Sequence, residues 1–344
     1  MRNILLYVIF LLIITSCSDS AADDKYDIIE FDICDSIYVK LNDVPGIVLD
    51  KQVVIGTIKD VKIIDSILFI HSSTGLHSFD LSGNLRTSYS RKGRGSEEYS
   101  MLWTYNLMDD VVQLYDMNRK MILEYDFDGN FIQSITLPGL ASDNPFQVFV
   151  SLGEGYLGKR VYGGYEVPEL ALYDKEFRYI RDLSVDLFLR SGLMLHNPFT
   201  LNYRNNILFC RYFSNEVYEI SPTGIDLRYK IDFGKHSFRE ESNLIDEYEI
   251  IERINSSRKK YAVNFSEFQE DERFLSFCYI YDASKRIAIF DRKENLSYSF
   301  TFFSDDEITE YILRYENNIY IITQNDVGET KLYYHTTTDA INFV

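Results

Sequence analysis

"VVQLYDMNRKMILEYDFDGNFIQSITL", residues 111–137, decides the fold. It holds an apolar strand-like run, a short polar break and a second run closing on Tyr125 and Asp126. The tight turn "DFDGN" and a third run follow. Runs of β-branched and aromatic residues bounded by such breaks read as strands, and an Asp-Gly-Asn turn reads as a hairpin. The unit recurs upstream at 67–90 with its acid at Asp80, and downstream at 169–183 with Asp174. Further copies lie at 207–231 with Glu219 and at 275–300 with Asp291, and a degenerate one at 318–344 carries His335.

The spacings between these positions are 46, 48 and 45 residues, then 72, then 44. The long step contains the 27-residue insertion "SFREESNLIDEYEIIERINSSRKKYAV". Its Ser237 and Glu240 form a capping-box pair, and Leu244, Tyr248 and Ile251 share one helical face. Without it the step becomes 45, the common period. A strand-rich unit repeating at this period predicts an all-β, six-bladed β-propeller with a short helical insertion between blades four and five. The strand-like segments "DIIEFDI" and "SIYVKL" precede the six units and are expected to help close the ring.

Composition agrees. The 344 residues are 46% hydrophobic and 15% aromatic, with 27 Tyr, 24 Phe and 6 Pro, a bias toward strands and a packed core. A formal net charge of −18 argues against nucleic acid as a partner. At the N-terminus, Arg2 precedes the apolar run "ILLYVIFLLII", too short to span a bilayer but suited to a secretory leader. The ending "ITSC" resembles a bacterial lipobox, which implies cleavage after residue 16 and acylation of Cys17. Residues 17–25 then form a lipidated end and acidic tether, and 26–344 the propeller. The expectation is an exported chain held on the outer membrane, periplasmic or surface-facing, by acyl chains on Cys17. Cys34, Cys210 and Cys278 permit at most one disulfide, and the latter two sit in apolar runs as buried thiols.

The tract "SRKGRGSEEYS", 90–100, joins the first unit to the second. Gly93 and Gly95 can take positive φ and offer amides to an anion, with Arg91, Lys92 and Arg94 adding charge. The alternative, which is favoured, is that these side chains fix neighbouring blades. Other candidate rim residues are His71, Arg119, Arg160, Tyr162, Tyr165, Arg211 and Tyr212, where rings beside cations suit a sugar or peptide. Trp103 is expected in the core.

The leader, "FDLSGN" and "GRGSEEY" together resemble the six-bladed β-propeller lipoproteins of Bacteroidetes, related in shape to NHL- and TolB-type propellers. Ser96 and Glu97 depart from that family's usual Pro and Gly. The resemblance covers essentially all of the mature chain and implies no particular activity.

No metal site or cofactor is expected. "DFDGN" begins like a calcium loop, but Leu137 stands where the closing Glu belongs. Zinc spacings, nucleophile elbows and phosphate loops are missing from the sequence. Two functional classes follow. The first is a non-catalytic binding module for a carbohydrate, peptide or protein partner. The second is a hydrolase or lyase acting on extracellular glycans, marked by His71, His196 and acids converging on the channel. A scaffold acting through its acidic sides is a third.

Overall fold

The computed structural model describes residues 26–32, 36–108, 110–137, 146–160, 170–183, 197–201, 206–210, 214–238, 252, 256–257 and 259–342. Six antiparallel sheets follow one another along the chain. Blade one is β4 (Ile58–Ile64), β5 (Ile67–Ser72), β6 (Gly75–Asp80) and β7 (Leu85–Ser88). Blade two is β8 (Leu102–Met108), β9 (Val111–Asp116), β10 (Met121–Asp126) and β11 (Phe131–Thr136). Blade three is β12 (Phe146–Leu152), β13 (Gly155–Arg160), β14 (Leu170–Tyr173) and β15 (Tyr179–Leu183). Blade four is β16 (Phe199–Leu201), β17 (Ile207–Cys210), β18 (Glu216–Ser221) and β19 (Gly224–Asp232). Blade five is β20 (Val263–Glu270), β21 (Phe274–Tyr281), β22 (Ser284–Asp291) and β23 (Leu296–Phe303). Blade six begins with β24 (Ile308–Tyr315), β25 (Asn318–Gln324) and β26 (Thr330–Thr336).

The fourth strand of blade six comes from the other end of the chain. β3 (Ile47–Val48) pairs antiparallel with β26, Ile47 opposite Leu332, and closes the ring. The two earlier segments do something else. β1 (Asp27–Glu30) and β2 (Ile37–Lys40) add as parallel fifth strands to β19 and β23. The expectation that "DIIEFDI" and "SIYVKL" close the ring is thus corrected. They cover the outer edges of blades four and five, and the two-residue strand after them makes the closure.

The middle strands of each blade are sandwiched between neighbouring blades, so they read as continuous apolar runs. β5, "ILFIHS", is buried at every position, whereas the outermost β7, "LRTS", alternates. Among the described residues the hydrophobic core divides into six clusters, one at each junction. Phe69 and Tyr105 belong to the blade one–two cluster, and Val61 and Tyr311 to the six–one cluster. The Cys210 and Cys278 thiols are buried, as expected, and burial pushes the Cys278 thiol up to about 12.

The repeated acid has a mechanical role. Asp80 Oδ1 accepts from the Ser82 and Asn84 amides at 2.9 Å, and Asp126 Oδ1 accepts from Asn130 at 2.8 Å. Gly83 and Gly129 complete these turns at φ +89° and +84°. "DFDGN" is therefore a hairpin whose carboxylate is spent on its own turn. The insertion between blades four and five falls mostly outside the described residues, Glu240 included. Its ends meet where Ser237 bridges Ala262, and the described Glu252, Ser256 and Ser257 are helical.

Candidate functional site

The loop "RKGRGSEEY" is closed on itself. Glu98 Oε2 accepts from the Gly95 amide at 2.7 Å, so the protein's own carboxylate occupies the anion cradle. A Cβ at Gly93 would stand 2.0 Å from that oxygen, so a side chain there would push the Glu98 carboxylate off the Gly95 amide. Neither Gly93 nor Gly95 adopts positive φ, contrary to expectation, because the cradle is built by room for Glu98 rather than by left-handed backbone. Arg91 donates to the Gly129 carbonyl at 2.9 Å and lies 5.5 Å from the Tyr125 ring centre. Arg119 donates to the carbonyls of Gly95 and Glu98, and the Tyr125 hydroxyl to that of Glu97. The tract clamps blade one to blade two. Arg91, Lys92 and Arg94 are all exposed, Arg91 while bonded to Gly129.

The other rim candidates also change role. His71 is 3% exposed on β5 and packs edge-on to Tyr105, because β5 is covered on both faces. It is not a rim residue. Arg160 pairs with Asp182 at 2.8 Å, keeps its guanidinium 5.3 Å from the Tyr179 ring, and serves blade three. Trp103 is half-buried against the blade two–three cluster. Cys17, Tyr162, Tyr165, His196, Arg211 and Tyr212 lie outside the described residues.

The site with chemical content is the axial channel, which the rim list missed. The first strands of all six blades line a cavity of about 470 Å³, within the range of small-molecule sites. At its wall, backed by tyrosines from two further blades, carboxyl groups from non-adjacent blades meet. Tyr311, on β24 of blade six, places its hydroxyl 3.1 Å from Asp60 Oδ1 on β4 and in contact with Glu267 Oε1 on β20. Tyr105 of blade two faces Asp60 with a fully buried hydroxyl that makes no well-formed hydrogen bond among the described residues. Lys62 lies 4.9 Å from the Tyr105 ring centre, and Lys285 lies 4.5 Å from that of Tyr311.

Local strain aims Glu267 inward. It has φ +53° within a strand whose pairing slips on either side of Ser266, a bulge that rotates one residue out of the pleat. Such a conformation in a non-glycine residue costs about 1–3 kcal/mol and clusters at functional sites. Burial, then the Asp60 charge, pushes the Glu267 carboxyl up to about 8, against the opposing pull of Lys285, Tyr311 and Lys62. Glu267 keeps some surface open to the channel, so its surroundings are a narrow pore rather than a dry core. His71, opposite Asp60 in the β4–β5 ladder, is held neutral. Burial, then Lys59 and Lys62, lowers it to about 3. Its Nε2 has no partner among the described residues.

Further along the same strands the polar groups serve structure. Arg314 donates to Asp271 at 2.6 Å and to Ser276 at 3.0 Å, tying blade six to blade five. Arg292 pairs with Glu270, which also accepts from Tyr229 at 2.6 Å and so joins blades four and five. Among the described residues no group of three or more His, Cys, Asp or Glu is placed to hold a metal.

Fold and channel together define a six-bladed β-propeller with a polar axial cavity. Over residues 50–340 the chain matches the family described as "Domain of unknown function (DUF4934)", and it belongs to that family. Among solved structures it is similar to a putative exported protein from Bacteroides fragilis NCTC 9343. The TM-score is 0.66 at 15% identity, over 90% of this chain and 99% of that one. A member of the duf4221 family from Bacteroides vulgatus aligns with TM-score 0.58 at 8% identity, over 84% of this chain and 95% of that one. At these identities the likeness is of fold. No curated protein matches the chain in sequence. Among the described residues no helix is long and apolar enough to cross a membrane.

Proposed function

We propose that this protein is an exported binding module, held on the outer membrane through acyl chains on Cys17. Its channel takes part of a carbohydrate, peptide or protein partner. Residues 1–16 serve as the leader and 17–25 as anchor and tether. The observation that supports the reading is the cavity itself. Six inner strands enclose it, and polar groups from four blades converge in it while the rim cations are largely engaged in joining blades. The leader, the lipobox-like "ITSC" and a fold shared with a protein described as a putative exported protein support the location.

A hydrolase or lyase is the second reading, favoured by the Asp60–Glu267 pair beside His71. Acid–base cleavage of a glycosidic bond needs that bond lying between two carboxyls. Here the Tyr311 hydroxyl lies between them, which favours binding. The test is thermal shift on the soluble chain from Asp24, against oligosaccharides, peptides, sulfated anions and divalent metals. A ligand that stabilises the parent and the Arg94→Ala variant, but not Asp60→Asn, supports channel binding. Stabilisation lost only in Arg94→Ala would move binding to the rim. Product formation from any hit would establish the enzyme.

A further inference from the structure

The Tyr311 hydroxyl carries one proton and lies within bonding distance of two carboxyl groups. It can donate to only one of them. Were both carboxyls ionised, the other contact would set a bare carboxylate oxygen against the phenol oxygen with no hydrogen between. A proton on either carboxyl resolves this; burial and the Asp60 charge favour Glu267 as its holder, so that Glu267 donates to Tyr311 and Tyr311 to Asp60. The bulge that turns Glu267 inward gives the acid no other partner at hydrogen-bond distance among the described residues.

We propose that Asp60 and Glu267 hold one proton between them and form, with Lys62, a binding site for a neutral polyhydroxylated group. This rests on the reading of the channel as a ligand site. Asp60 Oδ2 and Glu267 Oε2 supply acceptors, and the Lys62 ammonium on the same cavity wall supplies donors. That mixture matches hydroxyl groups, which both give and take hydrogen bonds.

Charge disfavours the alternatives. Groups of both signs surround the site: an anion drawn by Lys62 and Lys285 would also meet the Asp60–Glu267 pair, and a cation drawn by that pair would meet the two lysines. A stacking ligand finds Tyr105 and Tyr311 already faced by those lysines. The groups facing Glu267 are Asp60 and Lys62 on β4, Tyr105 on β8, Cys278 on β21, Lys285 on β22 and Tyr311 on β24. His71 and Lys59 lie one step behind Asp60. The tyrosines stay protonated, since burial raises both far above the working range, and His71 stays neutral. Glu267 is thus the group that switches near neutral pH.

The test is calorimetric titration of the soluble chain at pH 6 to 10. The neutral probes are maltotriose, cellotriose and chitotriose, with trigalacturonic acid and the fully deacetylated chitosan trimer as anionic and cationic counterparts. At least one neutral probe is expected to bind at pH 6, with Kd rising about tenfold per pH unit above about 8. The Glu267→Gln variant, a permanent donor, is expected to bind it with no such loss. Asp60→Asn is expected to weaken binding at least tenfold at pH 6. No neutral probe binding, a charged trimer binding more tightly, or a pH-independent parent each overturns the proposal. If the broader panel still finds a peptide or protein whose binding Asp60→Asn abolishes, the channel reading survives and only the ligand class falls.

Discussion

Replacing Glu267 with Gln should make the protein more stable in alkali and change it little in acid. The folded chain holds the Glu267 proton up to about 8, whereas an ordinary glutamate releases it near 4.5. Between those values the folded state binds more protons than the unfolded one, so stability falls as pH rises. The contribution is complete below 4.5 and lost by about 8. At about 1.4 kcal/mol per pH unit the interval corresponds to about 5 kcal/mol. Water in the channel screens the charge, so an effect on the order of 2–3 kcal/mol is expected. Gln has no proton to lose and keeps a donor toward Tyr311. The assay is urea unfolding of parent and variant at five pH values from 5 to 9, with the difference in unfolding free energy followed against pH. Titrations common to both chains cancel in that difference. It should grow by about 2–3 kcal/mol in favour of Glu267→Gln. A difference flat to within about 0.5 kcal/mol would refute the claim that this carboxyl is held neutral by the fold.

The interblade loop gives a second prediction. Gly93→Ala drives a Cβ into Glu98 and should cost about 1–3 kcal/mol, whereas Lys92→Ala and Arg94→Ala should stay within about 0.5 kcal/mol in chemical denaturation. A chain beginning at Asp50 lacks all three N-terminal strands and leaves blade six open. It should lose cooperative unfolding, while a chain from Tyr26 keeps it, as calorimetry would show. His71 and His77 are buried neutral and lowered to about 3 and about 4. The unfolded chain therefore protonates first, and stability falls as pH drops from 6.5 toward 4. The melting temperature of a His71→Gln, His77→Gln variant should fall less over that range than the parent's.

The repeat was legible because burial wrote it. Second and third strands such as "ILFIHS" and "MILEYD" are enclosed on both faces, and the acid at the end of the third strand builds a turn with a fixed sequence signature. The same logic hid the site. The first strands "IKDVKII" and "VNFSEFQE" face a polar channel on one side, so their patterns are mixed and fall outside the repeated unit. One signal was available: Asp60 and Glu267 stand in mixed polar and apolar runs at the positions where the innermost strand of a blade belongs. What no local pattern could reveal is that blades one and five bring them together across the ring. Several rim candidates turn out to be engaged for the opposite reason. Arg91, Arg119 and Arg160 look free in sequence, yet each finds a carbonyl or carboxylate on a neighbouring segment. Closure by Ile47–Val48 was beyond reach because two residues carry no periodicity.

The most direct test of the central claim is a crystal structure of the soluble chain with whichever panel ligand stabilises it. Ligand density is expected inside the ring, with hydroxyl-type contacts to Asp60 and Glu267 and the loop around Glu98 unchanged. Density on the outer rim at Lys92 and Arg94, with the channel unaltered, would contradict that claim.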